Sequence, residues 1–485
     1  MTYPPNGGAA PPRPSVPPQQ QHQPQPPGPA EAAPAHPAPA PTPTPARRTA
    51  WAEGVDRLRA AATTEPGRLR IIGALLALLV VAFGATTAWQ MTDRAAAADD
   101  VLRSSQPLSA DAADIYRSLA DANTAASSGF LAGGQEPAAV RDRYERDIRR
   151  AADKLVTAAT STDPGSPSAK TIAKLNTLLP QYKGLIERAR ANNRQGFPLG
   201  GAYLRYANEK MQTEMLPEAE NLYTTENQRL RDDYDAATPY PWIAIALGVL
   251  ALGVLVWAQR RNYRRTNRVF NHGMLAATAA SVVVLLWLAV GHTVARSGLN
   301  ASYDHGVRSL NVLHDASIAS LKARGNENLT LVSRGAETTT VKGVSKDKYD
   351  VDFQKQMDVL ATKLTAADGL ADDAAGRTPV GGANASMKEW LKRHTDAREQ
   401  DDAGNYQGAL DKIIGSKQSK PTGECFDLVD QNLDKALAHE QRQFSSEAGG
   451  GRDAMTGLPV GAALLAVLAA VGAVLGIGRR LSEYR

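Results

Sequence analysis

Four stretches of this chain, residues 71–89, 242–258, 274–290 and 458–477, hold no charged side chain and are apolar around every face of a helix. Each is close to the roughly 20 residues that a helix rising about 1.5 Å per residue needs to cross about 30 Å of hydrocarbon. A helix in water keeps a polar face, so four such runs in one chain point to four membrane-spanning helices. Trp89, Trp242 and Trp257 stand at ends of the runs, where indole rings favour the headgroup layer. The average composition, 43% hydrophobic and 22% charged, hides this pattern because a polar tail and two polar blocks dilute the runs.

Charges on the short flanks orient the spans, because long loops translocate largely regardless of charge. Arg57, Arg59, Arg68 and Arg70 precede the first run. Arg260, Arg261, Arg264, Arg265 and Arg268 fill the turn between the second and third, which holds no Asp or Glu. Arg479, Arg480 and Arg485 follow the fourth. The opposite flanks mix signs, as at Asp93 beside Arg94 and Arg231 beside Asp232 and Asp233. A multi-pass protein of the cell membrane with both termini cytoplasmic is therefore expected. The first run has a long polar segment before it and no convincing cleavage site after it, so it reads as a signal anchor.

These marks divide the chain into a cytoplasmic tail (1–50), a juxtamembrane segment (51–70) and a first span (71–91). An extracytoplasmic block (92–240), a second span (241–258), a basic cytoplasmic turn (259–271) and a third span (272–295) come next. A second extracytoplasmic block (296–457), a fourth span (458–478) and a short cytoplasmic end (479–485) complete it. The tail holds 17 of the 30 prolines within residues 1–49 and cannot build a core, so disorder with polyproline II character is expected. Pro11-Pro12-Arg13-Pro14 could dock an aromatic-lined groove, although a spacer explains it as well. Trp51, Val55, Leu58 and Ala62 share one helical face, as in a helix lying on the inner leaflet.

Both long blocks carry helical periodicity. Tyr144, Ile148, Ala151, Leu155 and Ala158 form one apolar stripe, and Ile172, Leu175, Leu179, Tyr182 and Ile186 a second. Met211, Met215, Ala219 and Leu222 form a third. Breaks at Gly133-Gly134, at 162–167 and around 196–201 separate four helices, an antiparallel bundle whose outer members can run on into the spans. In the second block Tyr349, Asp352, Phe353, Asp358 and Leu360 echo Tyr144, Asp147, Ile148, Asp153 and Leu155. The expected fold is all-α: four transmembrane helices and two four-helix-bundle-like domains, arranged as an internal duplication. Pro239 and Pro241 should break the join to the second span, and Gly449–Gly451 with Pro459 the join to the fourth. Gly73-x3-Ala77, Ala244-x3-Gly248 and Gly472-x3-Gly476 would let helices approach closely, within the chain or between copies in a homo-oligomer.

Catalytic and metal motifs are missing. The eight histidines contain no i, i+3 or i, i+4 pair, and neither a Gly-x-Ser-x-Gly elbow nor a phosphate loop is present. No enzyme activity, metal, cofactor or nucleic-acid partner is expected. Cys425 is the only cysteine, and a buried, inert thiol is its simplest reading. Adjacent acids such as Asp99-Asp100 and Asp401-Asp402 diverge on a helix and read as solvated faces. Asn300, Asn328 and Asn384 match a glycosylation pattern that reads as accidental. The arginine turn (Arg260, Arg261, Arg264, Arg265, Arg268) pins topology and touches anionic lipid, and it could also dock an acidic soluble partner.

With generous outer blocks and only tail, turn and stub inside, the layout suits a non-enzymatic sensor or adaptor whose output is protein binding. A structural scaffold of the cell envelope without ligand sensing is the alternative. The Pro-rich tail, the two span–bundle–span units and the stub-like inner parts resemble the actinobacterial GlnX-type membrane proteins. That resemblance implies an extracytoplasmic amino-acid-binding lipoprotein as one partner and a cytoplasmic serine/threonine kinase, protein kinase G, as another. It also implies amino-acid availability as the signal. It rests on layout and assigns no residue a role.

Overall fold

The computed structural model describes residues 63–266, 271–415 and 420–481. The Pro-rich tail, the stripe of Trp51, Val55, Leu58 and Ala62, Arg268 and Arg485 lie outside the described residues.

Among the described residues the protein is all-α apart from one hairpin. Four of its helices are long and apolar enough to cross a membrane: α1 (Glu65–Asp100), α7 (Trp242–Thr266), α8 (His272–Ala301) and α14 (Leu458–Leu481). Both α1 and α8 pack against α7 and α14, which closes a ring of four. Leu76, Val80, Leu255, Met274, Ala277 and Ala473 fill its centre. Leu75, Leu78, Leu250, Leu286, Leu464 and Leu468 point outward and are exposed. Such an apolar belt is unstable in water and is the surface that lipid covers. The chain is a multi-pass membrane protein.

Small residues set a close backbone-to-backbone helix contact in this ring. A Cβ on Gly273 of α8 would fall 2.3 Å from the Gly472 carbonyl oxygen and 2.7 Å from the Gly476 backbone of α14. Because neither neighbour is a flexible side chain, Gly273→Ala must push two helices apart. We expect it to destabilise the protein by about 1–3 kcal/mol, measurable as a lower unfolding midpoint in detergent; an unchanged midpoint would contradict the close approach.

The first half continues from α1 through a π-helical turn (Val101–Ser105) into α2 (Gln106–Leu131). Then come α3 (Ala138–Thr160), α4 (Pro167–Arg194), α5 (Leu199–Lys210), a second π turn (Met211–Met215) and α6 (Leu216–Ala237). The second half continues from α8 through a π turn (Ser302–Val307) into α9 (Arg308–Ser333). It adds β1 (Thr338–Val341), β2 (Val344–Asp347), α10 (Lys348–Leu370), α11 (Ala374–Asp402), α12 (Tyr406–Ile413) and α13 (Thr422–Met455). The helices of the two halves thus follow one order, with a π turn at the same place after each odd-numbered span, while the hairpin belongs to the second half and the second π turn to the first.

Three features depart from the sequence reading. β1 and β2 pair antiparallel around Lys342 (φ 49°) and Gly343 (φ 81°), a two-residue turn with both residues left-handed. The β-branched run Thr338–Val341 beside Lys-Gly signalled it, but four residues are too few to stand out between helical patterns. Secondly, α13 runs on through Gly449–Gly451 and ends only at Met455, before the turn at Gly457 (φ 80°). The glycines there do not break the helix. A Cβ on Gly451 would meet the Ala295 carbonyl oxygen at 2.9 Å, so Gly451 allows α13 to lie against α8. The join before α7 does break, at residues 238–241. Thirdly, the buried stripe Tyr144, Ile148, Ala151, Leu155, Ala158 lines up with Phe353, Met357, Leu360, Leu364, Ala367. Tyr144 therefore corresponds to Phe353 rather than Tyr349, one helical turn beyond the echo visible in the sequence.

The two long blocks also do not keep separate cores. One apolar cluster runs from Tyr116, Leu155 and Tyr182 in the first half to Phe353, Trp390 and Phe426 in the second, joined where α2 packs on α9. Below it Met91, Tyr234, Leu299, Phe444 and Leu458 form a neck between this body and the ring of spans.

Candidate functional site at the seam between the halves

The α2–α9 contact joins the two halves, and polar side chains hold it. On α2, Thr124 donates its hydroxyl to the Leu321 carbonyl at 3.0 Å. On α9, Asn328 donates to Ser127 and Ser128 at 3.1 and 2.7 Å. Asn328 is fully buried, which removes it as a glycosylation acceptor.

Arginines from the first half meet aspartates on α13. Arg143 on α3 donates Nε to Asp121 at 2.9 Å and its two Nη groups to Asp427 and Asp430, each at 3.0 Å. Arg117 on α2 pairs with Asp434. Three carboxylates around Arg143 hold its guanidinium charged despite burial. Asp147, one turn further along α3, is buried beside Asp121. Burial first and the Asp121 charge second push it up to about 8, so it stands protonated at neutral pH. Burial likewise lifts Asp430 to about 6.

Deeper in the second half a buried charge network crosses the core. Glu327 on α9 is fully buried and accepts from Arg324, from Trp390 Nε1 at 3.1 Å and from Thr422 Oγ1 at 3.0 Å. His394 bridges it to Asp350, with Nδ1 3.0 Å from Glu327 and Nε2 3.1 Å from Asp350. Phe353 stacks on the imidazole at 3.7 Å. Burial opposes both charges here, but Arg324 and His394 hold the Glu327 carboxyl below its usual range, and the two carboxylates hold His394 above its own.

Arg324 also reaches the wall of a cleft of about 790 Å³. Thr124, Ser128 and Val140 line it from the first half, Arg324 and Phe426 from the second. Arg146 opens onto it, exposed and without an ion pair among the described residues. The cleft has room for a small molecule between the halves, and α9, which supplies Arg324 to its wall, continues through a π turn into the span α8.

The sequence singled out other residues. Of the arginine turn, Arg260 and Arg264 are exposed near the end of α7, and the Arg261 guanidinium sits 5.4 Å from the Trp257 ring centre. Arg265 belongs to α7 but its side chain, like Arg268, lies outside the described residues. Cys425 is a core residue, 2% exposed, its thiol pushed up by burial and so a poor nucleophile. Asp99 pairs with Arg452, and Asp401 and Asp402 with Arg398. Sequence reasoning missed Arg143, Arg324, Glu327 and His394. Trp390 and His394 at i, i+4 on one face of α11 were the available signal, since a polar ring beneath an indole needs a buried partner.

Residues 97–235, the helices of the first half from the end of α1 to near the end of α6, match a family described as an actinobacterial sensor domain. No curated protein and no solved structure matches the chain. The family match supports a sensing, non-enzymatic role, and its span places the likeness on the helices between the first two spans, including the side of the seam that carries Arg117, Asp121 and Arg143.

Proposed function

We propose that this protein is a membrane sensor and signalling adaptor. Its helical body faces outward and registers a ligand or a solute-binding protein, and its termini and arginine turn engage a protein inside the cell. The observation that carries this reading is mechanical: α2 and α9, which form the seam, continue without a break in helix into α1 and α8. The other two joins, at residues 238–241 and at Gly457, are interrupted. A shift at the seam is then passed inward along two unbroken helical paths, while the other two joins are interrupted.

Amino-acid availability is the proposed signal, a binding lipoprotein the proposed outer partner, and a serine/threonine kinase the proposed inner one. The inner contact is assigned to the tail and to Arg260, Arg261, Arg264, Arg265 and Arg268, whose charge fits an acidic surface. The test is affinity capture of the full chain from native membranes, with and without added glutamate or aspartate. Wild type is expected to retain a cytoplasmic kinase in an amino-acid-dependent way, and a five-fold Arg→Gln variant is expected to lose it while inserting normally. Full retention by that variant, or capture indifferent to amino acids, would favour an envelope scaffold instead.

A further inference from the structure

Lys322 and Arg324 stand two residues apart on α9, hence about 200° around the helix, and they face different clefts. Arg324 lines the one described above. Lys322 opens into a second cleft of about 570 Å³, bounded by α5 and its π turn in the first half and by α9, the foot of the hairpin and α10 in the second. Three cations (Arg205, Lys322, Lys348) and three carboxylates (Glu209, Glu337, Asp352) line it. None of the six forms an ion pair with any described residue.

That contrasts with Arg143, Arg117 and Arg324 of the seam, which are all paired. Lys322 is among the less exposed of the six. It is half-buried, and its ammonium lies 5.5 Å from the ring centre of Tyr116. Burial holds it below the ordinary lysine value. Glu220 and Asp315 act on it only through space, and a desolvated ammonium without a direct ion pair is a net cost to the fold. Charged walls left unpaired in a concave site are how a pocket keeps its polar groups for something that enters.

We propose that this cleft binds a small organic acid, its anionic group taken by Lys322 and Arg205 and hydrogen-bond donors at its other end taken by Glu337 and Asp352. Both halves contribute a wall, so occupancy draws α5 toward α9 and α10 and fixes their spacing. Occupancy also acts beside the π turn Met211–Met215, where the extra residue per turn gives the helix a place to adjust. The proposal rests on the sensor reading only for its purpose; binding without any change in partner capture would leave it standing and sink that reading.

The test uses the full chain in detergent, with malate (carboxylates plus a hydroxyl), inorganic phosphate and, as a donor-poor control, acetate. Malate or phosphate at millimolar concentration is expected to raise the unfolding midpoint above that in chloride of equal ionic strength. Which of the two does so distinguishes a carboxylic from a phosphoric ligand. Lys322→Met is expected to weaken that binding about tenfold or more and, in the ligand-free protein, to raise the midpoint. No effect of malate or phosphate beyond chloride overturns the proposal, as does equal binding by the variant. A lower ligand-free midpoint for Lys322→Met also overturns it, since the lysine would then be structural.

Discussion

Glu327→Gln is expected to cost about 3–5 kcal/mol of stability, the largest effect of any single polar substitution suggested by this structure. The carboxylate is fully buried and neutralises Arg324, only 5% exposed at its side chain, while it also holds His394, Trp390 and Thr422. Glutamine keeps the shape but leaves Arg324 without a counter-charge and presents an amide where two donors need acceptors. The pH dependence gives the substitution a signature beyond simple damage. Glu327 is held below its ordinary value, so its share of stability is present above about 4.5 and lost as pH falls through the lowered value. His394 is held above its ordinary value, so its share is present below about 6.5 and lost as pH rises through the raised one. The gap between wild type and variant should therefore be widest between about pH 4.5 and 6.5 and narrow on either side. Denaturant midpoints across pH 3–9 decide it; a gap independent of pH would show that the network is neutral in the fold.

Asp147→Asn has the opposite sign. A carboxyl lifted to about 8 from an ordinary 3.8 must take up a proton on folding at neutral pH. The resulting cost begins near pH 4, grows through pH 8 and is constant above. Asparagine is isosteric, has no proton to gain and can donate to Asp121. We expect it to be neutral near pH 4 and to stabilise by about 2–5 kcal/mol at pH 8.5. Equal stability of the two proteins at pH 8.5 would place the Asp147 charge in solvent. Since Asp121 also receives Arg143, which holds Asp427 and Asp430 of the other half, the same substitution should tighten the seam. A tighter seam should blunt any ligand-dependent change in partner capture.

The spans were the most legible part of the chain, because hydrocarbon demands an uninterrupted run of apolar residues and no distant contact can substitute for it. The first-half helix ends were legible for a local reason as well. Gly133, Gly165 and Gly196 all take the left-handed conformation, and only glycine does so at no steric cost. Gly449–Gly451 misled because the same residue type serves two ends. A glycine may terminate a helix or admit a neighbour, and only the position of α8 shows that Gly451 does the second.

The seam was not legible, and neither was the merging of the two cores. Arg143, Asp427 and Asp430 are nearly 300 residues apart in sequence, and on their own helices they look like ordinary solvated charges. Glu327 and Asn328 read as polar surface within α9 until α2, α11 and α13 cover them. By itself, then, the sequence determined the four apolar helices and the helical character of what lies between them, since hydrophobic runs and left-handed glycines act through local chemistry. Only the tertiary structure decided which polar groups are buried, which are paired and which are left unpaired around a cleft. Those properties depend on what the rest of the chain places within about 4 Å of each charge.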